Sequence, residues 1–325
     1  MKNLSSLLLT LFICWISLLS ALAEVTDDVD DSGKEKKQIF HVYDDINLIS
    51  TLKIQYDIPR VVIKAVYPQL SSKSAMDNED KENMNDINED NEKIYSAGND
   101  NEGVNQFNQI VLGLIQDEIK DFKLKTLLMK NAQKNIPHTS IKNDLYLDYA
   151  TSYIRSNHNH ILSIRFSTQG YITGVPHPFH SHRVLNYNLD TQETLQLGDL
   201  FLPDADYLQM LSLFSNNALS RRIQNKEMIS AGTAPKSENY QNWNIKPNGL
   251  LITFDEGSVA PLVNGTQTVL IPYSFLKKIL SPLSPIAGCI KHKRNCANQN
   301  LLTGGFIDEA INTRHGVLNP RLRLI

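Results

Sequence analysis

The sequence predicts an α+β fold in which helices pack on mostly antiparallel sheets, divided into two small modules. Three observations predict it. Short runs of alternating or β-branched residues recur from about residue 55 to residue 271 and are separated by turn residues. Two longer segments, around 107–127 and 206–223, carry apolar residues at three- and four-residue steps. The resulting order is strand, helix, strands, helix, strands, which implies helices packed against mostly antiparallel sheet. With 41% hydrophobic and 21% charged residues, the 325-residue chain has enough apolar material for about two ordinary domains.

The chain opens with Met1-Lys2, an apolar run from Leu7 to Leu19, and Ser20-Ala21-Leu22-Ala23. The small residues Ala21 and Ala23 make residues 1–23 a secretory signal peptide, cleaved after Ala23. An uncleaved anchor is the alternative, although the apolar core is shorter than the roughly 20 residues that span a bilayer. Residues 24–38 are expected to form a flexible N-terminal segment, and no transmembrane segment is expected in the mature chain. The protein would then be periplasmic or secreted. Cleavage would remove Cys14 and leave Cys289 and Cys296 as the only thiols in a compartment where disulfides persist, so these two are expected to pair.

Residues 39–150 form the first expected module. The β-branched run Val61 to Val66 predicts a strand that Pro68 ends, and Phe107, Ile110, Val111, Leu114, Ile115, Ile119, Phe122 and Leu127 predict a helix that covers a sheet. Between them, residues 74–103 hold ten acidic residues against Lys81 and Lys93, with few large apolar side chains. Such a segment cannot bury enough surface to offset its ordering entropy, so it reads as a disordered acidic insert. It lacks the regular oxygen ligands and central glycine of a calcium loop. Leu145 to Arg155 supplies the next strand and closes the module near residue 150.

The second module, residues 151–283, begins with Ile161 to Ser167 as a half-buried strand, a turn at Thr168-Gln169-Gly170, and a strand at Val184 to Leu189. Asp190-Thr191-Gln192 is a turn, and Thr194 to Leu197 a short strand. An amphipathic helix follows from Asp206 to Ile223, then strands at Gly249 to Asp255 and Gln267 to Ile271. Pro272-Tyr273-Ser274 starts a short helix to about Leu280. Residues 284–325 carry six basic residues against Asp308 and Glu309, and read as a basic tail with a small disulfide loop.

Tyr171, Gly174, His177-Pro178, Asn186-Tyr187, Asp190 and Leu197-Gly198-Asp199-Leu200-Phe201 carry a resemblance that continues through Asn242-Trp243, Pro247-Asn248-Gly249-Leu250, Phe254-Asp255, Val259-Ala260-Pro261, Gly265 and Ile271-Pro272-Tyr273-Ser274. Together they resemble the bacterial envelope domain of unknown function that ends the RsiV-type lysozyme-sensing ectodomain and also occurs in PdaC-type peptidoglycan deacetylases. Tyr67-Pro68-Gln69-Leu70 followed by Phe107-Asn108-Gln109-Ile110 is similar to the PdaC-type N-terminal module, which has a much shorter connection where this chain has its acidic insert. The resemblance implies recognition of an envelope ligand, a lysozyme-like protein or a peptidoglycan fragment, with Tyr171, His177, Asn186, Tyr187 and Asp199 as candidate binding residues. The deacetylase chemistry of the PdaC type belongs to a different domain.

Five histidines, His158, His160, His177, His180 and His182, are the densest polar cluster. A hairpin centred near Gln169 would bring His158 opposite His180 and His160 near Pro178, so that His158, His160, His180 and His182 share one end and could hold zinc or copper. Pro176 and Pro178 argue against a regular register, and the competing reading is a solvated loop. A third reading is an envelope hydrolase that uses His177 with Asp190 or Asp199. No GxSxG elbow, HExxH helix or Gly-rich phosphate loop is present, and no nucleic-acid partner is expected. The leading expectation is a non-catalytic exported binding protein without a cofactor.

Overall fold

Three long strands carry the architecture: β4 (Asn143–Ser156), β5 (Asn159–Ile172) and β6 (Phe179–Asn188). Their side chains alternate between two apolar layers, and both faces of the sheet are therefore covered. The computed structural model describes residues 39–43, 46–57, 61–72, 102–137, 140–156, 159–291 and 296–303. The expected signal peptide, the segment that follows it, nearly all of the acidic insert and His158 lie outside the described residues.

Before β4 come β1 (Ile39–Tyr43), β2 (Ile46–Asp57), β3 (Val61–Ser72) and the helix α1 (Glu102–Leu128). After β6 come the short β7 (Glu193–Thr194), α2 (Tyr207–Ser220), α3 (Lys226–Gly232), β8 (Trp243–Lys246), β9 (Gly249–Phe254) and β10 (Gln267–Pro272). Two short helices, α4 (Tyr273–Leu276) and α5 (Ala287–Lys291), precede β11 (Cys296–Thr303). β1 to β7 lie side by side in chain order, with β11 on β4, in one eight-stranded sheet, and β10-β9-β8 form a second sheet. Every pairing is antiparallel except β3 with β4. A parallel pair needs a crossover, and α1 is that crossover. The α+β class with mostly antiparallel sheets is as expected.

α1 lays Phe107, Val111, Ile115, Ile119 and Phe122 on one face of the large sheet, against Ile63, Leu145, Leu147, Leu162, Ile164 and Tyr187 among others. The four-residue spacing gives a single buried stripe. On the opposite face, Ile154 and Ile161 of the large sheet join a second core built from β8 to β10 and α2 to α5. Asp206 caps α2 by accepting from the Gln209 N–H at 3.2 Å, and Asn225 caps α3 by accepting from the Met228 N–H at 3.1 Å.

Several expected boundaries shift. β3 runs through Pro68, which pairs with Ser50 of β2. Pairing of β3 with β4 stops at Ala65, so beyond that point the β4 side of β3 has no strand neighbour to which Pro68 would owe a donor. The vacated edge is met by Asn108 of α1, whose amide accepts from the Leu70 N–H at 2.8 Å and donates to the Leu70 carbonyl at 2.9 Å. α1 begins at Glu102, inside the segment read as insert. β4 crosses the module boundary placed near residue 150 and contributes to both cores. The segment read as a basic tail contains β11, held beside β4 from Ser156 to Ala150. The expected pair Cys289–Cys296 is a disulfide that joins α5 to β11.

Candidate functional site

The strand β6 turns Val184 and Asn186 toward the second layer, because Leu185 and Tyr187 face α1. Asn186 is engaged there through both its amide nitrogen and its amide oxygen. Its Nδ2 donates to the Trp243 carbonyl at 2.9 Å, and its Oδ1 accepts from Ser163 Oγ at 2.7 Å. Ser163 Oγ in turn accepts from the Ile245 N–H at 2.9 Å and from Asn244 Nδ2 at 3.1 Å. This buried network fastens β8 to the large sheet and fixes Trp243.

Beside that network the chain leaves β7 and makes a 3-10 turn, Leu197–Leu200, which Asp199 stabilises by accepting from the Gln196 N–H at 2.7 Å. Phe201, next in the chain, stacks on Tyr207 with ring centroids 4.7 Å apart. Tyr240 enters from the turn before β8, and its hydroxyl donates to the Thr233 carbonyl at 2.7 Å. Burial pushes the Tyr240 hydroxyl up to about 12. These elements enclose a cleft of about 360 Å³, within the range of small-molecule sites. Asn186, Tyr207, Tyr240 and Trp243 stand in its walls with Gln196, Gln241, Thr194 and Ser237, three aromatic rings interleaved with amides and hydroxyls. Gln196, Gln241, Thr194 and Ser237 are exposed.

Of the five candidate binding residues, Asn186 lines the cleft, and Asp199 sits in the turn at its lip. Tyr187 does not. It is buried on the opposite face, edge-on to Phe107 at 5.3 Å, with its hydroxyl donating to the Gly103 carbonyl at 3.3 Å. Tyr171 and His177 lie toward the other end of β6, beyond Phe179, which at strand rise is roughly 23 Å from Asn186. His177 is exposed, and its ring N–H donates to the Pro178 carbonyl at 3.0 Å.

The hairpin register also differs from the expected one. Gly170 pairs with Phe179, so the turn spans Thr173 to Pro178 and His180 lies opposite Gln169. His160 is at the far end of β5, where its Nδ1 meets Asp190 at 2.9 Å and its ring stacks on Tyr153. His180 and His182 instead meet two carboxylates that follow β9. The His182 N–H donates to Asp255 Oδ1 at 2.6 Å, and Asp255 Oδ2 also accepts from Asn242 Nδ2 at 3.2 Å. The His180 ring nitrogen lies 3.0 Å from Glu256 without the alignment of a hydrogen bond, an ion pair that depends on imidazole protonation. Among the described residues no group of three or more histidine, cysteine or acidic side chains is placed to hold a metal ion, and His158 lies outside them. Asp190 and Asp199 are likewise engaged away from His177, which leaves the expected hydrolase pair unassembled. The sequence did mark Asn242-Trp243 and Phe254-Asp255 as motif residues; their cross-sheet contacts with Asn186 and His182 had no signal along the chain.

Residues 198–274 match the family described as Protein of unknown function (DUF3298). This span contains all but the first residue of the turn at the lip of the cleft, α2, and the whole second sheet. Over 168 residues the chain is also 31% identical to the peptidoglycan-N-acetylmuramic acid deacetylase PdaC of Bacillus subtilis, which covers 51% of this chain and 34% of that protein. Two solved structures of DUF3298 proteins are similar. One, from Bacteroides fragilis, is 16% identical with a TM-score of 0.46, covering 76% of this chain and 96% of its own. The other, from Pseudomonas aeruginosa, is 13% identical with a TM-score of 0.37, covering 74% and 95%.

Proposed function

We propose that this chain is an exported binding protein of the bacterial envelope that recognises a peptidoglycan fragment through the cleft beside the Leu197–Leu200 turn. One observation carries the reading: seven of the thirteen residues lining the cleft, Trp243 among them, fall inside the DUF3298 match. The similarity to PdaC, a protein named for its action on peptidoglycan, supports an envelope ligand. The half-buried Tyr207 ring beside exposed amides and hydroxyls suits a sugar ring, which offers apolar faces and a rim of hydroxyls, while the buried Tyr240 and Trp243 hold the wall in place. The disulfide between Cys289 and Cys296 accords with an oxidising compartment, and no helix among the described residues is long and apolar enough to cross a membrane.

Co-sedimentation of the purified chain with peptidoglycan sacculi, run beside a pull-down with hen-type lysozyme, tests the proposal. Retention on sacculi is expected. Capture by lysozyme alone would replace the glycan by a protein ligand and favour the RsiV-type kinship, and binding to neither would overturn the proposal.

A further inference from the structure

Not one of the thirteen residues that line the cleft among the described residues carries a charge. The polar side chains of its wall are amides and hydroxyls alone, and the Asp199 carboxylate at the lip is turned back onto the Gln196 N–H. Leu195, Leu197, Leu208 and Val184 supply apolar wall between them. A charged group taken into such a cleft loses water and finds no opposite charge in return. A neutral amide with a methyl group loses far less, because side-chain amides can replace its hydrogen bonds and the leucines can cover the methyl.

Resting on the binding proposal above, we propose that the cleft selects an uncharged acetamido sugar unit and discriminates against both its deacetylated, cationic counterpart and a sugar bearing a carboxylate. The same chemistry is offered by peptidoglycan and by a chitin-type oligomer. The site therefore reports whether the amino group of the sugar is acetylated, and it does so by the absence of any ion-pair partner.

Calorimetric titration of the full chain with an N-acetylglucosamine trimer, a glucosamine trimer and peptidoglycan digested before and after chemical deacetylation tests this directly. The acetylated trimer and digest should bind, and the deacetylated forms should bind more than about tenfold more weakly at neutral pH. Gln241→Glu, at an exposed position of the wall, should narrow that ratio by weakening the neutral sugar and admitting the amine, with unchanged melting showing that the fold is kept. Equal affinity for the acetylated and deacetylated forms would overturn the inference, and so would a ratio untouched by Gln241→Glu. Retention on sacculi without binding of any acetylated oligomer would place the ligand outside the cleft, leaving envelope binding standing and this inference refuted. Failure of both would remove the parent proposal as well.

Discussion

A buried imidazole needs a partner for its ring nitrogens, and His182 takes its partner from a different sheet. Removing it leaves Asp255 with one fewer donor and opens a gap between the layers, so His182→Ala should cost about 1–3 kcal/mol in denaturant melts. His177 is exposed and its ring bonds within its own loop, so His177→Ala should fall within about 0.5 kcal/mol. A larger loss at His177 than at His182 would refute this ranking. Tyr240 makes a second test through pH. Burial raises its hydroxyl from 10.0 to about 12, so the folded protein holds a proton that the unfolded chain releases first. That stabilisation is complete below about pH 10 and is lost as the pH rises through about 12, a change of about 3 kcal/mol at the level of about 1.4 kcal/mol per unit. Stability measured across that interval should fall less steeply in Tyr240→Phe than in the parent chain.

The β5–β6 hairpin separates what the chain declares locally from what it does not. Both strands were legible from alternation, as were α1 and α2 from their apolar spacing. The register was not, because Gly170 reads as a turn residue and is a packing residue instead. A methyl group on Gly170 would stand 2.3 Å from the Phe179 ring and 3.1 Å from the Asp144 carbonyl, so the ring occupies the space a side chain would need. Gly170→Ala should therefore destabilise by about 1–3 kcal/mol, and by clearly less in a Phe179→Leu background. Equal costs in the two backgrounds would show that the ring is not the obstacle. With the turn moved to Thr173–Pro178, His160 falls at the opposite end of the hairpin from His180 and His182. β11 was invisible for a different reason: the expected Cys289–Cys296 pair ties down only its first residue, and its place comes from the open edge of β4, which is not written in its own eight residues. The cleft is likewise a meeting of β6, the Leu197–Leu200 turn, α2 and β8, and only its separate pieces could be read.

Across the whole molecule, β4 and β5 contribute Leu145, Tyr149 and Leu162 to one core and Ile154 and Ile161 to the other. Two modules that share strands should unfold together, so far-UV dichroism and Trp243 emission should give one coincident transition on heating. Two separated transitions would show that the cores are independent. Replacing residues 74–101 by a short Gly/Ser linker should leave that transition nearly unmoved, since loop entropy changes slowly with length and the helix begins only at Glu102. The placement of β11 has a further consequence for how copies of the chain behave toward one another. β4 lends the same edge first to β3, along Asn143 to Leu147, and then to β11, along Ala150 to Ser156. β11 is thus a stopper for a sheet edge, tethered through Cys289 and Cys296. Pulling the stopper would bare a row of backbone donors and acceptors that another copy could complete. Reduction should therefore make the protein's light scattering rise with concentration, while the oxidised form stays flat.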